Sequence, residues 1–170
     1  SENQAMHRLA ALPGDPGEGD AVLVEQESLP ALVLSHADSD LSLIAQRLSA
    51  AGDPAWMRGL NLAALSHPAA IDHYIRSSLA STRLVVVRLL GGRGHWSYGL
   101  EQLGEWAAQS PQRALLVLGG TADGAEEWAD LSSEPATTAL ALASCLRHGG
   151  PDNIDAVLLW CQRWLAGAAP

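Results

Sequence analysis

Short apolar runs that alternate with helical patterns constrain the fold of this chain more than any other feature. Four runs have strand character, ALVLS, GLNLAAL, RLVVVRLL and RALLVL, at residues 31–35, 59–65, 83–90 and 113–118. Runs that are apolar at nearly every position are typical of strands buried on both faces. Between them, apolar residues recur at the spacing of amphipathic helices. The sequence therefore predicts βα units, a parallel sheet and helices on both of its faces.

The predicted helices have recognisable ends. DLSLIAQRLSAAG stops at Gly52, and Pro68 suits the first turn of the helix that continues through AAIDHYIRSSLA. SYGLEQLGEWAAQ follows the third run, and the last third of the chain has no strand pattern but two helical ones. We therefore expect α/β architecture: a Rossmann-like or flavodoxin-like open parallel sheet of about four strands, closed by a C-terminal helical pair. AVLVEQ at 21–26 adds a short edge strand.

Local composition divides the chain into three parts. SENQA at 1–5 precedes Met6 and has the character of a cloning remnant, whereas LPGDPGEGD makes residues 6–20 a flexible lead-in. Residues 21–170 then form one α/β domain of ordinary size.

Composition excludes several classes of function. The chain has ten arginines, no lysine and 19 acidic residues, for a formal charge of -9. Such a chain repels nucleic-acid phosphates, and without lysine it can form neither a P-loop nor a lysine Schiff base. Cys145 and Cys161 form no disulfide framework, and no apolar run is long enough to cross a membrane. We expect a cytoplasmic protein without nucleic-acid or membrane partners.

The loops that follow the predicted strands contain the candidate binding residues. Ligands of open parallel sheets bind beyond the carboxyl ends of the strands, near a switch in strand order. The stretch GGRGHW offers backbone N–H groups, a guanidinium and a helix N-terminus, which suits a carboxylate or phosphate. The predicted binding residues are His36, Gly91, Gly92, Arg93, His95, Trp96 and Tyr98.

Other interpretations of the same loops remain open. Gly91 and Gly92 would also suit a tight turn that needs positive φ, with Trp96 and Tyr98 as ordinary core residues. Three loop histidines and one aspartate could in principle bind zinc or cobalt: His36, His67, His95 and Asp38. Their spacing matches no metal motif, so no metal site is predicted. The glycines do not form GxGxxG.

No catalytic residue is predicted. A small esterase or transferase would need Ser35 or Ser66 beside a loop histidine, and neither serine lies in a GxSxG turn.

Several segments resemble one family. NLAALSHPAAIDHYIRSSLASTRLVVVRLLGGRGHWSYGLEQL at 61–103 is similar to the amino-terminal region of the large subunit of aerobic cobaltochelatase, which is related to the magnesium chelatase large subunit. The resemblance rests on the LLGGR stretch followed by Trp96 and Tyr98-Gly99. The segments 31–41 and 131–160 fit the same family, so the resemblance covers residues 6–165.

The resemblance implies a place in aerobic cobalamin biosynthesis. The parent enzyme is a ligase that inserts cobalt(II) into a corrin-type tetrapyrrole, hydrogenobyrinic acid a,c-diamide, while separate AAA-type motor subunits hydrolyse ATP-magnesium. The chain would be the head domain of a much longer subunit, without catalytic residues or cofactor of its own, and serve substrate recognition or scaffolding. Its partners would be the rest of the large subunit, the motor subunits and the corrinoid. The alternative is a stand-alone flavodoxin-like domain that binds a small ligand or anion.

Overall fold

A computed structural model describes residues 6–10, 21–91, 96–120 and 128–167. The strands are β1 (Met6–Ala10), β2 (Val22–Gln26), β3 (Ala31–Ser35), β4 (Met57–Asn61), β5 (Leu84–Leu89) and β6 (Ala114–Gly119). The helices are α1 (Asp38–Ala51), α2 (Pro68–Ser78), α3 (Ser97–Ala108), α4 (Ala136–His148) and α5 (Pro151–Leu165), and residues Leu62–Leu65 form a short 3₁₀ helix.

The central sheet has four parallel strands in the order β4-β3-β5-β6. From β3 the chain moves outward to β4 and then returns to the other side of β3 with β5. The order of strands therefore reverses between β3 and β5. Helices cover both faces and two helices end the chain, which confirms the predicted open parallel α/β sheet.

Two hydrophobic layers lie on opposite faces of this sheet. Leu34 and Val87 pack with residues of α2 and α3, whereas Val33 and Val86 pack with residues of α1, α4 and α5. Consecutive strand residues point to opposite faces, so a strand covered on both faces must be apolar at nearly every position. All six residues of β5 and all six of β6 are buried, as the continuous apolar runs predict.

The ends of the first two helices follow the sequence signals. Gly52 adopts a φ of 71° and ends α1, a backbone conformation that favours glycine. Pro68 opens α2, and the His67 side chain accepts a hydrogen bond from the backbone N–H of Ala69. No helix within the described ranges combines the length and the hydropathy needed to cross a bilayer.

Two local features differ from the sequence-based expectations. The sequence predicts a flexible lead-in over residues 6–20, but 6–10 form β1, which pairs antiparallel with β2; residues 11–20 lie outside the described part of the chain. The pairing of β1 with β2 joins residues far apart in the sequence, so the local sequence of residues 6–10 does not predict this strand. The apolar run at 59–65 predicts one strand, but β4 ends at Asn61. The Asn61 side chain accepts from the N–H of Ala63 and starts the 3₁₀ helix instead.

Candidate functional site

The carboxyl ends of the four parallel strands define the candidate site. Because the strand order reverses between β3 and β5, the crevice expected for a ligand lies between the loops that follow these two strands. His36 follows the last residue of β3, and Gly91 lies two residues beyond the end of β5. His36 is half-buried and Gly91 is exposed. The predicted binding loops therefore start from neighbouring strands at the same edge.

A buried polar cluster fixes the start of the loop after β3. The Ser35 hydroxyl donates to Asp40 Oδ2 over 3.0 Å, and Arg88 Nη1 donates to the same oxygen over 2.5 Å. The Ser35 oxygen also accepts from the N–H of Ala37. Asp40 and Arg88 are 8% and 7% exposed, so the carboxylate loses its hydration and depends on the guanidinium for compensation. The cluster holds β3, α1 and β5 together at the base of the loops that follow β3 and β5.

Asn61 connects the loops after β3 and β4. Its amide nitrogen donates to Asp38 Oδ1 over 2.7 Å and to the backbone oxygen of His36 over 3.4 Å. Its amide oxygen accepts from the N–H of Ala63 over 2.9 Å. The Asn61 side chain thus binds the loop after β3 through its nitrogen and the loop after β4 through its oxygen, and it sets the spacing of the two loops.

Trp96 is a packing residue at the start of α3. It is 6% exposed, and its indole N–H donates to the backbone oxygen of Leu65 over 2.9 Å. A Cβ atom at Gly99 would lie 2.3 Å from the Trp96 ring, so the first turn of α3 needs glycine at this position. The indole therefore anchors the start of α3 to the loop after β4.

Tyr98 is half-buried and is bound to a carboxylate of α2. Its hydroxyl lies 2.8 Å and 3.0 Å from the two carboxylate oxygens of Asp72. This hydrogen bond, with a smaller contribution from burial, raises the pKa of Tyr98 above its ordinary value. Because the hydroxyl donates to Asp72, the pair connects α2 and α3.

The remaining predicted binding residues lie outside the described part of the chain. Residues 92–95 are not described, and these include Gly92, Arg93 and His95. The anion site at the Gly-Gly-Arg stretch therefore stays a prediction. The structure brings His36 and Asn61 together and places Trp96 against the loop after β4, which is the same edge of the sheet.

The geometry of the described residues supports neither a metal site nor a hydrolase site. Among the described residues, no three histidine, cysteine, aspartate or glutamate side chains are grouped to hold a metal ion. His67 Nδ1 accepts from the N–H of Ala69, which uses that nitrogen to cap α2. Ser35 is fully buried and its hydroxyl proton points to Asp40, so it is not available as a nucleophile.

Sequence inspection missed the Ser35–Asp40–Arg88 cluster and the role of Asn61. One signal was present: Arg88 interrupts an otherwise apolar strand, and a buried arginine requires an anionic partner. Nothing in the sequence indicated that Asp40, in the first turn of α1, is that partner.

Comparisons with known proteins give one clear relationship. No family model matches the chain, and no solved structure matches it. The aerobic cobaltochelatase subunit CobN of a Sinorhizobium species is 31% identical over 169 residues, which is 96% of this chain and 13% of that protein. CobN of Pseudomonas aeruginosa is 34% identical over 153 residues, 87% of this chain and 12% of that protein.

The relationship covers nearly all of this chain but only a small part of each relative. The chain spans 13% and 12% of the lengths of the two curated relatives. Its α/β sheet therefore corresponds to one region of a much larger polypeptide. With this identity over most of its length, the chain belongs to the family of the aerobic cobaltochelatase subunit CobN.

Proposed function

We propose that the chain acts as the amino-terminal head domain of a cobaltochelatase large subunit. The observation that carries this proposal is the match to CobN at 31% and 34% identity over nearly all of this chain but a small part of the relatives. In this role the domain supports the insertion of cobalt(II), as substrate, into hydrogenobyrinic acid a,c-diamide in the cytoplasm. It carries no catalytic residue or cofactor of its own and serves recognition or scaffolding.

The energy for cobalt insertion comes from other subunits in this proposal. The chain contains no lysine, so it has no P-loop lysine with which to bind ATP phosphates. Separate AAA-type ATPase subunits that use ATP-magnesium then supply the conformational work, and the remainder of the large subunit holds the macrocycle during metal insertion.

The carboxyl edge of the sheet is the surface that we assign to the corrinoid. The side groups of the macrocycle are carboxylates and amides, for which a guanidinium and backbone N–H groups near a helix N-terminus are suitable partners. In this proposal Arg93 supplies the charge, Gly91 and Gly92 allow close backbone approach, and His36 and His95 supply further polar contacts. Trp96 and Tyr98 support this rim through their contacts with Leu65 and Asp72.

A chimaera tests the proposed function. The matched region of Pseudomonas aeruginosa CobN is replaced by residues 6–167 of this chain, and cobalt insertion is followed by the absorbance of the corrinoid in the presence of the motor subunits and ATP. The chimaera is expected to insert cobalt, whereas the isolated 170-residue chain is expected to insert none. Cobalt insertion by the isolated chain, or an inactive chimaera that folds, contradicts the proposal.

Arg93→Ala in the chimaera tests the rim. Loss of one charge-assisted hydrogen bond is expected to weaken corrinoid binding about tenfold or more. Arg76→Ala is the matched control, since Arg76 is an exposed arginine on α2, away from the strand ends. Equal corrinoid affinity for both variants removes the rim assignment without affecting the family relationship.

A further inference from the structure

The two edge strands of the central sheet differ in how their outer backbone groups are satisfied. At β6, the N–H of Leu115 donates to Ser133 Oγ over 2.8 Å, and the C=O of Leu115 accepts from the N–H of Ser133 over 2.8 Å. The N–H of Val117 donates to Ser132 Oγ over 2.8 Å. Two consecutive serines therefore close this edge.

The outer edge of β4 is largely open. The C=O of Trp56 accepts from the N–H of Ala31, and consecutive strand residues direct their backbone groups to opposite sides, so Met57 and Gly59 direct theirs outward. The C=O of Gly59 accepts from Gln26 Nε2 over 3.2 Å, which agrees with this direction. Within the described residues, the N–H groups of Met57 and Gly59 and the C=O of Met57 receive no partner.

A groove of about 380 Å³ runs along this open edge. Its apolar wall comes from α1 and β4, and its opposite side includes Gln26 and Arg58, so the groove wraps around the edge of the strand from both faces of the sheet. A second groove of about 360 Å³ continues it between α1 and α5 and shares its lining at Leu48, Asp53 and Trp56.

Two residues, Gly59 and Arg58, show that this edge is accessible and that not all of its polar groups have hydrogen-bond partners. Gly59 is exposed, and Leu41 packs so closely against it that its methyl carbon would lie 3.2 Å from an added Cβ. Arg58 uses Nη2 to bind Glu27, but its Nε is buried without a hydrogen-bond partner among the described residues. The edge is therefore accessible at Gly59, and the polar groups beside it are not all satisfied by the described residues.

We propose that β4 accepts an additional strand, donated by an extended segment of the remainder of the large subunit. This inference rests on the proposed function, because that function supplies the remaining polypeptide. The added segment pairs with the outward groups of Met57 and Gly59. It places an apolar side chain against α1, in the groove that Leu41, Ile44 and Leu48 line.

Charge and length favour this occupant over a second copy of the chain. Each copy carries a formal charge of -9, so two copies repel one another at low ionic strength. The matched region is 13% of the Sinorhizobium relative, so most of such a subunit lies outside it and is covalently tethered to the domain. A tether raises the effective concentration of the segment at the groove.

Amide hydrogen exchange tests the proposal in the CobN chimaera described above. The amides of Met57 and Gly59 are expected to exchange at least about tenfold more slowly in the chimaera than in the isolated 170-residue chain. The amides of Leu115 and Val117 serve as an internal reference, because their hydrogen bonds to Ser133 and Ser132 are present in both.

Three variants assign the protection to the edge. Gly59→Pro removes an outward N–H without removing a bond to β3, and Leu48→Asp places a charge in the shared part of the two grooves. Both are expected to return the exchange of Met57 to its rate in the isolated chain, and Leu48→Asp tests the edge if the proline variant does not fold. Val22→Asp is the control, because Val22 is an exposed apolar residue on β2 that lines neither groove.

The outcomes separate this inference from the proposed function. Equal exchange of Met57 and Gly59 in the chimaera and the isolated chain overturns strand addition, and so does protection that survives both groove variants. Protection that appears in the isolated chain as its concentration rises overturns it in favour of a second copy. A chimaera that inserts cobalt without protecting these amides keeps the function and removes the docking. Protected amides in a chimaera that does not insert cobalt would keep the docking and remove the proposed function.

Discussion

The two outer strands of one sheet present opposite solutions to the same problem. An edge strand exposes unpaired backbone groups that invite pairing with other chains. At β6 the segment after the strand folds back, and Ser132 and Ser133 occupy those groups. At β4 the Gln26 side chain occupies the carbonyl of Gly59, and a groove lies beside the rest. Among the described residues, the chain itself satisfies the outer edge of β6 but not that of β4, and β4 is where we propose that a further strand adds.

Burial follows the same division. All six residues of β6 are buried, whereas only Met57 and Leu60 are buried among the five residues of β4, and Gly59 is exposed. We therefore expect the closed edge to contribute more than the open edge to the stability of the isolated domain. The following predictions test this contrast in decreasing order of effect.

Proline at the two edges gives the largest expected difference. Leu115→Pro removes a buried side chain and an N–H that is bonded to Ser133, and we expect it to destabilise the fold by about 5 kcal/mol or more. Gly59→Pro removes an N–H that faces the groove and presses an added Cβ against the flexible Leu41 side chain, and we expect a smaller cost of about 1–2 kcal/mol in the isolated chain. Urea denaturation followed by circular dichroism measures both. Similar losses for the two variants would show that the edges are not different.

Substitution of the two serines measures the contribution of the β6 edge to stability without changing the hydrophobic core. Ser132→Ala and Ser133→Ala leave the N–H groups of Val117 and Leu115 without their acceptors, and each is expected to cost about 1–3 kcal/mol in the free energy of unfolding. Ser77→Ala is the matched control, because its exposed hydroxyl bonds within α2, and its cost should stay within about 0.5 kcal/mol. Unchanged stability in both serine variants would remove the distinction between a closed and an open edge.

Tyr74→Phe tests the support beneath the open edge. Tyr74 donates to Gln26 Oε1 over 2.5 Å, and its loss leaves a buried acceptor unpaired at an expected cost of about 1–3 kcal/mol. Burial raises the pKa of Tyr74 above its ordinary value of 10.0, so its contribution is present below pH 10.0 and is lost as the pH rises further.

The alkaline loss of stability should therefore be shallower in Tyr74→Phe than in the unmodified chain. It does not vanish, because Tyr98 also has a raised pKa and loses its contribution in the same direction. Thermal midpoints measured across the alkaline range check this. Identical pH profiles for the two proteins would show that Tyr74 does not titrate differently in the folded state.

Asp155→Asn gives the smallest expected effect. Arg47 and Asp155 form a bidentate pair across the second groove, and this hydrogen bond lowers the pKa of Asp155 below its ordinary value of 3.8. The contribution is present above pH 3.8 and is lost as the pH falls through the lowered value. Because both side chains are well exposed, the change in thermal midpoint should be small and should shrink with added salt. A large, salt-independent loss would contradict this.

The sequence predicted the layers of the fold but not its edges. Continuous apolar runs such as RLVVVRLL require cover on both faces, which sets the parallel sheet and its two helical layers. Strand order depends on long-range packing, so the sequence did not show that β4 and β6 are the outer strands. The serines that close β6 lie in LSSEP, whose composition is that of an ordinary turn.

The candidate site was predicted only as a location. The βα pattern indicated only that the loops lie at the carboxyl edge of a parallel sheet; that the loops after β3 and β5 start from neighbouring strands, where the strand order reverses, comes from the structure. The contacts of Trp96 with Leu65 and of Tyr98 with Asp72 depend on the packing of α2 and α3, which local periodicity does not specify. The pairing of Asp40 with Arg88 is hidden for the same reason, because it joins two elements far apart in the sequence.

Residue-resolved hydrogen exchange of the isolated 170-residue chain is the most direct test of the contrast between the edges. The amides of Leu115 and Val117, which are bonded to Ser133 and Ser132, should exchange at least about a hundredfold more slowly than those of Met57 and Gly59. Comparable protection at all four amides in a dilute, monomeric sample would show that β4 is already closed, and would contradict the account.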